Sequence, residues 1–415
     1  MIESALNLKP IVFAILAIGA AIVFAGCPNN ASGQIAVRGE TVHTMAGAPI
    51  PDGVVLIRDG KIERVGPASQ VIIPDGYKVL NAKVVTPGLI DAHTVVGLSG
   101  YLNQTQEQDQ LEGSTPIQPE LRAIDAYNAQ ERLVEWLRGF GITTVHTGHG
   151  PGALVSGQTM IVKTTGDDSP ASLISAEAMI AVTLGADGLG KAGKSPGTRS
   201  KAVAMLRADL QRAVEYDTKM KGPEDKRPPR DLHLEALARV IRREVPLLIN
   251  VQRNYDILSA LRLAKEFNIK IVLDGASEAY MVVDQIKAAN VPVIIHPTMA
   301  RNLGEEENLS LETASILRKA GILVALQSGY EGYVPKTRVV LFEAGVAAAN
   351  GLSFAEALGT ITIDAAKLLG IANRVGSLEA GKDADVALYD GDPFEYTTHA
   401  TGVIIDGKVV SQEVR

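Results

Sequence analysis

A (β/α)8 barrel carrying a small β domain built from both chain ends is the fold class that the sequence predicts, and three observations predict it. The chain of 415 residues is the size of one barrel with a satellite, roughly two to three times an ordinary single domain. Its middle repeats short continuous apolar runs, each followed by a helical pattern, as strands buried on both faces do when joined by crossover helices. Its ends carry alternating runs closed by Asp-Gly and Gly-Asp-Pro turns, the pattern of hairpins. An open doubly wound sheet is the alternative reading of the same alternation. A hydrophobic fraction of 46% and a charged fraction of 21% supply a core and exclude a disordered chain. A net charge of −7 leaves no excess Lys or Arg to displace counterions, so nucleic acid is excluded as a partner. With one cysteine there is no intramolecular disulfide and no thiolate cluster. Any metal must be held by His, carboxylates, carbonyls or a modified Lys.

The N-terminal segment stands apart. Ile11 to Gly26 is an uncharged apolar run after Lys9, short for a membrane span of roughly twenty residues and suited to a signal-peptide core. The small pair Ala25-Gly26 ahead of Cys27 resembles a bacterial lipoprotein processing site, with Phe24 and Glu3 departing from the usual pattern. Residues 1–26 are therefore expected to be removed, leaving Cys27 as a lipid-bearing N-terminus that holds the protein to a membrane of the bacterial cell envelope, outside the cytoplasm. An uncleaved anchor and an ordinary secreted chain are the alternatives. That segment holds one Glu and one Lys, so the acidity belongs to the remainder.

After a linker at 27–33, residues 34–85 form the first part of the β domain. Val54–Arg58 and Lys61–Val65 alternate, and Asp59-Gly60 and Asp75-Gly76 read as hairpin turns. The second part, 373–415, pairs Ala384–Tyr389 with Gly402–Ile405 through Gly391-Asp392-Pro393. Between them, 86–372 supplies the barrel, for which about 250 residues suffice. Leu89-Ile90, Thr143–Val145, Thr159–Val162, Pro246–Val251, Ile269–Leu273, Val291–Ile295 and Ile322–Leu326 read as strands. Helical patterns cover about 119–138, 256–267, 277–289 and 311–320. An insertion at about 185–231 places a helix from about Lys201 to Lys219 between a Gly-rich and a charged Pro-rich stretch; it reads as a surface excursion or as a lid over the barrel mouth. Gly188 to Ser195 formally matches a phosphate-binding loop, but Pro196-Gly197 stops the helix on which such a loop depends.

Val85-Thr86-Pro87-Gly88-Leu89-Ile90-Asp91-Ala92-His93, with Asp59–Ile62 before it and Gly376–Val386 after the barrel, resembles the amidohydrolase superfamily, nearest its imidazolonepropionase-like and prolidase-like branch. The resemblance extends through Leu261–Phe267, Ser277–Tyr280 and Ile361–Gly370. It implies a distorted TIM barrel with its site at the C-terminal strand ends, plus a small β-sandwich domain made by both termini. It also implies hydrolysis of a carbon–nitrogen bond, a non-peptide or cyclic amide of a small substrate, by water on one or two divalent metals. A strand-8 Asp takes the proton.

The ligand pattern departs from that family. His93 is present, but Val95 stands at the second position of the usual His-x-His pair. Asn250 and Gln252 replace a strand-5 His, Gly275 a strand-6 His and Gly329 the strand-8 Asp; neutral amides bind zinc poorly. His43 and His399 fall in the β domain and His233 on the insertion helix, whereas His93, His146, His149 and His296 lie at or just beyond strand ends. These four are the candidate ligands of a relocated site for one Zn, Fe or Mn ion, with Asp91, Lys163 and Asp274 as supporting residues. The bland reading is that hydrogen bonds hold the His146-Thr-Gly-His149 turn, that His296 caps a strand, that Lys163 is a structural ammonium, and that no metal binds. Two functions follow: a hydrolase with a degenerate or relocated metal site, or a catalytically inactive lipoprotein that binds a small ligand or a catalytic paralogue.

Overall fold

A computed structural model describes residues 33–102, 104–190, 193–298, 302–330 and 339–415. The expected signal segment, Cys27 and nearly all of the linker lie outside the described residues, as do two positions of the 188–195 match.

Both termini build one sheet. Its strands are β1 (Ile35–Val42), β2 (Ile50–Arg58), β3 (Lys61–Pro67) and β4 (Lys78–Pro87) from the N-terminal side. After ten barrel strands the C-terminal side adds β15 (Val386–Tyr389), β16 (Ala400–Ile405) and β17 (Lys408–Ser411). The order is β17-β16-β15-β4-β1-β2-β3. β4 is the seam, parallel to β1 and antiparallel to β15. Among the described residues this is a single seven-stranded sheet, where two facing sheets were expected. Asp59-Gly60 closes the β2–β3 hairpin as expected, with φ of 50° and 79°. Asp75-Gly76 does not close one: it turns the chain into β4, which pairs with β1 and not with β3.

Asp406-Gly407, with φ of 48° and 70°, makes a second left-handed turn between β16 and β17 that abuts the first. A Cβ on Gly407 would lie 2.9 Å from Gly60 Cα. Gly407→Ala should therefore lose about 1–3 kcal/mol, measured as a lower urea midpoint at unchanged slope. An unshifted midpoint would show that the turns separate freely.

The barrel strands are β5 (Leu89–Thr94), β6 (Ile142–Thr147), β7 (Val155–Gln158), β8 (Met160–Lys163), β9 (Leu173–Ser175), β10 (Ile180–Thr183), β11 (Leu247–Val251), β12 (Ile271–Gly275), β13 (Val293–Ile295) and β14 (Val324–Leu326). They form a four-stranded sheet, β5-β6-β8-β9, and a six-stranded one, β14-β13-β12-β11-β10-β7. From β11 to β14 neighbours run parallel, as the apolar runs predict, and β10, which the sequence pattern did not mark, joins them parallel to β11. The ladder does not close into a continuous barrel. An isolated Thr94–Gly329 bridge joins β5 to the chain after β14, and Thr159 and Ala178–Met179 exchange backbone bonds at the other seam.

The regular alternation fails between Thr147 and Ile180. There the chain has short apolar runs broken by Gly and Thr, with no stretch long enough for a crossover helix, so it returns on itself and pairs antiparallel. β8 runs against β6, and β7 against β10. The helix expected over 119–138 contracts to Arg132–Gly139 after a short 3-10 turn at Ala123–Asp125. Three others hold to within a few residues, Arg199–Met220, Asn254–Phe267 and Thr313–Lys319, whereas the helix expected from 277 begins only at Val283, after a 3-10 turn at Ala279–Met281, and ends at Ala289. β5, β11, β12 and β14 thus bring their C-terminal ends to one mouth.

Candidate functional site

A cavity of about 370 Å³ opens at that mouth, with His93 from β5, Asn250 and Gln252 from β11 and its exit, Asp274 from β12 and Gln327 after β14 in its wall. Asp274 is the hub. It is buried, and its carboxylate accepts from His93 Nδ1 at 3.1 Å, Gln327 Nε2 at 2.7 Å and Asn250 Nδ2 at 2.9 Å. Burial acts to raise Asp274, but the His93 charge and these hydrogen bonds outweigh it and hold the carboxyl below its ordinary value. Burial likewise acts to lower His93, and Asp274, aided by Asp91, outweighs it and raises the imidazole. The two form a buried ion pair. His93 Nε2, in contrast, is buried without a hydrogen-bond partner.

Beneath His93, Asp91 accepts from the backbone N–H of His93 at 3.3 Å and of Ser328 at 3.0 Å, and from the Ser328 hydroxyl. Burial pushes its carboxyl up to about 7 against these donors. Asp91 therefore ties β5 to the exit of β14, a supporting role like that expected of it, although toward backbone and serine and not toward a metal.

The four candidate histidines do not assemble. His146 is adjacent to His93, with ring centroids 5.7 Å apart, but both its nitrogens are spent: Nδ1 donates to the Ala92 carbonyl at 2.7 Å and Nε2 accepts from the Thr159 hydroxyl at 2.6 Å. Burial and the His93 charge lower it to about 3. His149 is turned into the packing beside Gly157, where a Cβ would lie 2.7 Å from its ring, and burial lowers it to about 4. His296 donates from Nδ1 to the Pro297 carbonyl at 3.0 Å and is buried outside the cavity wall, lowered by burial to about 4. The expected relocated site on His93, His146 and His149 is thus corrected: main-chain and threonine partners, and packing, take the rings that strand ends had placed near one another.

Lys163 also lies away from the mouth. Because β8 runs against β6, the end of β8 lies opposite Thr144 near the start of β6, away from the mouth. There the ammonium meets Asp383 at 2.8 Å, Asp385 at 3.1 Å and Asp406 at 2.5 Å, all from the C-terminal part of the chain. It is a structural ammonium. Of the remaining histidines, His233 pairs with Asp209 and Glu120, His399 pairs with Asp390, and His43 packs its ring against Phe354 at 4.8 Å.

The donor set does not fit a divalent metal. Among the described residues, no group of three or more His, Cys, Asp or Glu is placed to hold one. Asp274 already accepts from three donors, and the amides that donate to it are poor ligands. Sequence reasoning placed Asp274 beside the lost strand-6 ligand but missed its pairing with His93 and Gln327. It also missed the rim: Asp187 comes from the Gly-rich insertion and Glu305 and Glu306 from the segment after β13. The only signal for Asp187 was the placement of that insertion near a barrel mouth.

Residues 259–411 match the model of the amidohydrolase family. The chain is 24% identical over 382 residues to an imidazolonepropionase of Solibacter usitatus, covering 86% of this chain and 88% of that one. It is 25% identical over 398 residues to the imidazolonepropionase of Rhizobium rhizogenes, covering 86% and 91%. The crystal structure of an amidohydrolase from Thermotoga maritima superposes with a TM-score of 0.85 at 27% identity, over 92% of this chain and all of that one. With the Asp91–His93 motif at the end of β5 and the sheet shared by both termini, these likenesses make the chain a member of the amidohydrolase superfamily.

Proposed function

We propose that the chain uses an amidohydrolase barrel mouth to bind a small polar molecule carrying an amide or related carbon–nitrogen group, without a divalent metal. The observation that carries this reading is the Asp274 hub: an ion pair and two amides fill the center of the mouth, where the family usually places ligands for metal. Gln252 and His93 stand in the wall of that cavity, where they would meet a ligand carbonyl or amide. A second reading has one observation in its favour. His93 is oriented by a carboxylate on Nδ1 and has an unpartnered Nε2; above its raised pKa the ring is neutral and has the arrangement of a general base, which supports slow hydrolysis of the same bond by water.

Incubation with Zn, Mn or Fe followed by desalting and elemental analysis should leave far less than one equivalent bound. Near-stoichiometric metal that falls in His93→Ala would overturn the reading. Calorimetry with small amides, followed by product analysis of the same mixtures, separates binding from turnover.

The lipid-anchored, extracytoplasmic location belongs to the same proposal and rests on the Ile11–Cys27 pattern. Cys27→Ala should abolish lipid labelling and leave the full-length precursor, and unchanged labelling would reject it. Among the described residues no helix is long and apolar enough to cross a membrane.

A further inference from the structure

The three side-chain amides in the cavity wall, Asn250, Gln252 and Gln327, are not free to present either end. An ionised carboxylate accepts and cannot donate. Asn250 and Gln327 both reach Asp274, so both must give it their nitrogens, Nδ2 at 2.9 Å to one oxygen and Nε2 at 2.7 Å to the other. Their carbonyl oxygens are thereby turned away from the hub, and neither accepts a hydrogen bond from a described residue.

Gln252 is fixed the opposite way. The backbone N–H and the hydroxyl of Ser277 both donate to its Oε1, at 3.2 Å and 2.6 Å. A backbone N–H can only donate, so the atom that faces it is the oxygen, and Nε2 is the end left over. Gln252 is 8% exposed and lines the cavity, yet Nε2 donates to no described residue. An amide so deeply buried with an unused donor calls for an acceptor. Gly275 makes room for this arrangement, since a Cβ there would lie 2.6 Å from Gln252 Nε2 and 2.9 Å from Oε1. The parallel register sets Asn250 beside Asp274 and Val251 beside Gly275, which brings the Gln252 amide next to the hub.

The wall thus offers two carbonyl oxygens and one amide nitrogen. We infer that the mouth takes the carbamoyl end of a primary amide or a urea, whose amino group donates to Asn250 Oδ1 and Gln327 Oε1 and whose carbonyl accepts from Gln252 Nε2. This inference rests on the ligand-binding reading of the same mouth and adds to it the direction of each hydrogen bond. An ester or a carboxylate of the same outline has no N–H and would set lone pairs against both carbonyls.

Calorimetry on the purified protein with three probes of one outline reads the two halves separately. They are benzamide, acetophenone, in which a methyl replaces the amino group, and thiobenzamide, in which a weakly accepting sulfur replaces the oxygen. The protein should bind benzamide about tenfold tighter than either analogue. Gln252→Met should erase the preference over thiobenzamide and keep the preference over acetophenone. Ser277→Ala, which loosens Oε1 and leaves the cavity wall intact, should shrink the thiobenzamide preference in the same sense and serves where Gln252→Met does not fold. If either analogue binds as tightly as benzamide, or Gln252→Met weakens all three probes alike, the assigned directions fall and the ligand-binding reading stands. If none of the three binds, both fall.

Discussion

Lys163→Met should destabilise the chain by about 3–5 kcal/mol, because it strips the ammonium that Asp383, Asp385 and Asp406 share, the first two of them buried. The Lys163 side chain is fully buried, and its three partners Asp383, Asp385 and Asp406 come from the C-terminal part of the chain. Asp383 retains Lys61 at 2.5 Å and Arg374 at 2.8 Å, which help hold it down to about 2. Asp385 retains no cation among the described residues. Burial and the Asp406 charge already push it up to about 6 with Lys163 in place, so in the variant it must take a proton or unfold the contact. The sign follows. A carboxyl whose folded-state pKa lies above its unfolded value of about 3.9 binds more protons when folded, so stability falls as pH rises through that interval. The deficit of Lys163→Met should therefore be smaller at pH 5 than at pH 7.5 in urea titrations. Asp385→Asn in the Lys163→Met background should recover part of the loss. A deficit below about 1 kcal/mol, of the size of an exposed pair, would show that the cluster does not fasten the terminal sheet to the barrel.

The second large effect is expected at the mouth. Asp274→Asn removes the charge that His93, Asn250 and Gln327 share, and should lose about 3 kcal/mol. Its pH dependence is diagnostic. His93 is raised, so its share of the stability is complete below its unfolded pKa of about 6.5 and is lost as pH rises through the folded value. Asp274 is lowered, so its share is complete above its unfolded pKa of about 3.9 and is lost as pH falls through the folded value. The difference between wild type and Asp274→Asn should thus be greatest between about pH 4 and 6.5 and shrink above that range. Asp91, raised to about 7, also makes stability fall as pH rises from its unfolded pKa of about 3.9 to that value; it is present in both proteins and largely cancels in the difference. A gap that grows from pH 6 to pH 9 would show that His93 is neutral and that no ion pair fills the mouth.

Much of this architecture was legible along the chain. Continuous apolar runs marked β11 to β14 because strands covered on both faces have no polar side to alternate with. The Asp59-Gly60 turn marked its hairpin because only a few residue types accept two consecutive positive φ values. The antiparallel excursion from Thr147 to Ile180 was not legible: a short apolar run reads the same in either direction, and only the pairing partner sets which end faces the mouth. That one reversal carried Lys163 from its expected place near the site to the opposite side. The histidines failed for a related reason. A strand-end position gives an approximate location and no ring orientation: the Ala92 carbonyl and the Thr159 hydroxyl occupy the two nitrogens of His146, and His149 and His296 are turned away from the cavity wall.

The sequence by itself determined the family, the place of the mouth at the ends of parallel strands, and the loss of the ligand types that a divalent metal needs, since each of these is a matter of residue identity and local pattern. Tertiary structure alone decided what took their place. Asp274 meets Gln327 across 53 positions and Asp91 meets Ser328 across 237, and hydrogen bonds between groups so far apart exist only once strand order and direction have brought them within 3 Å.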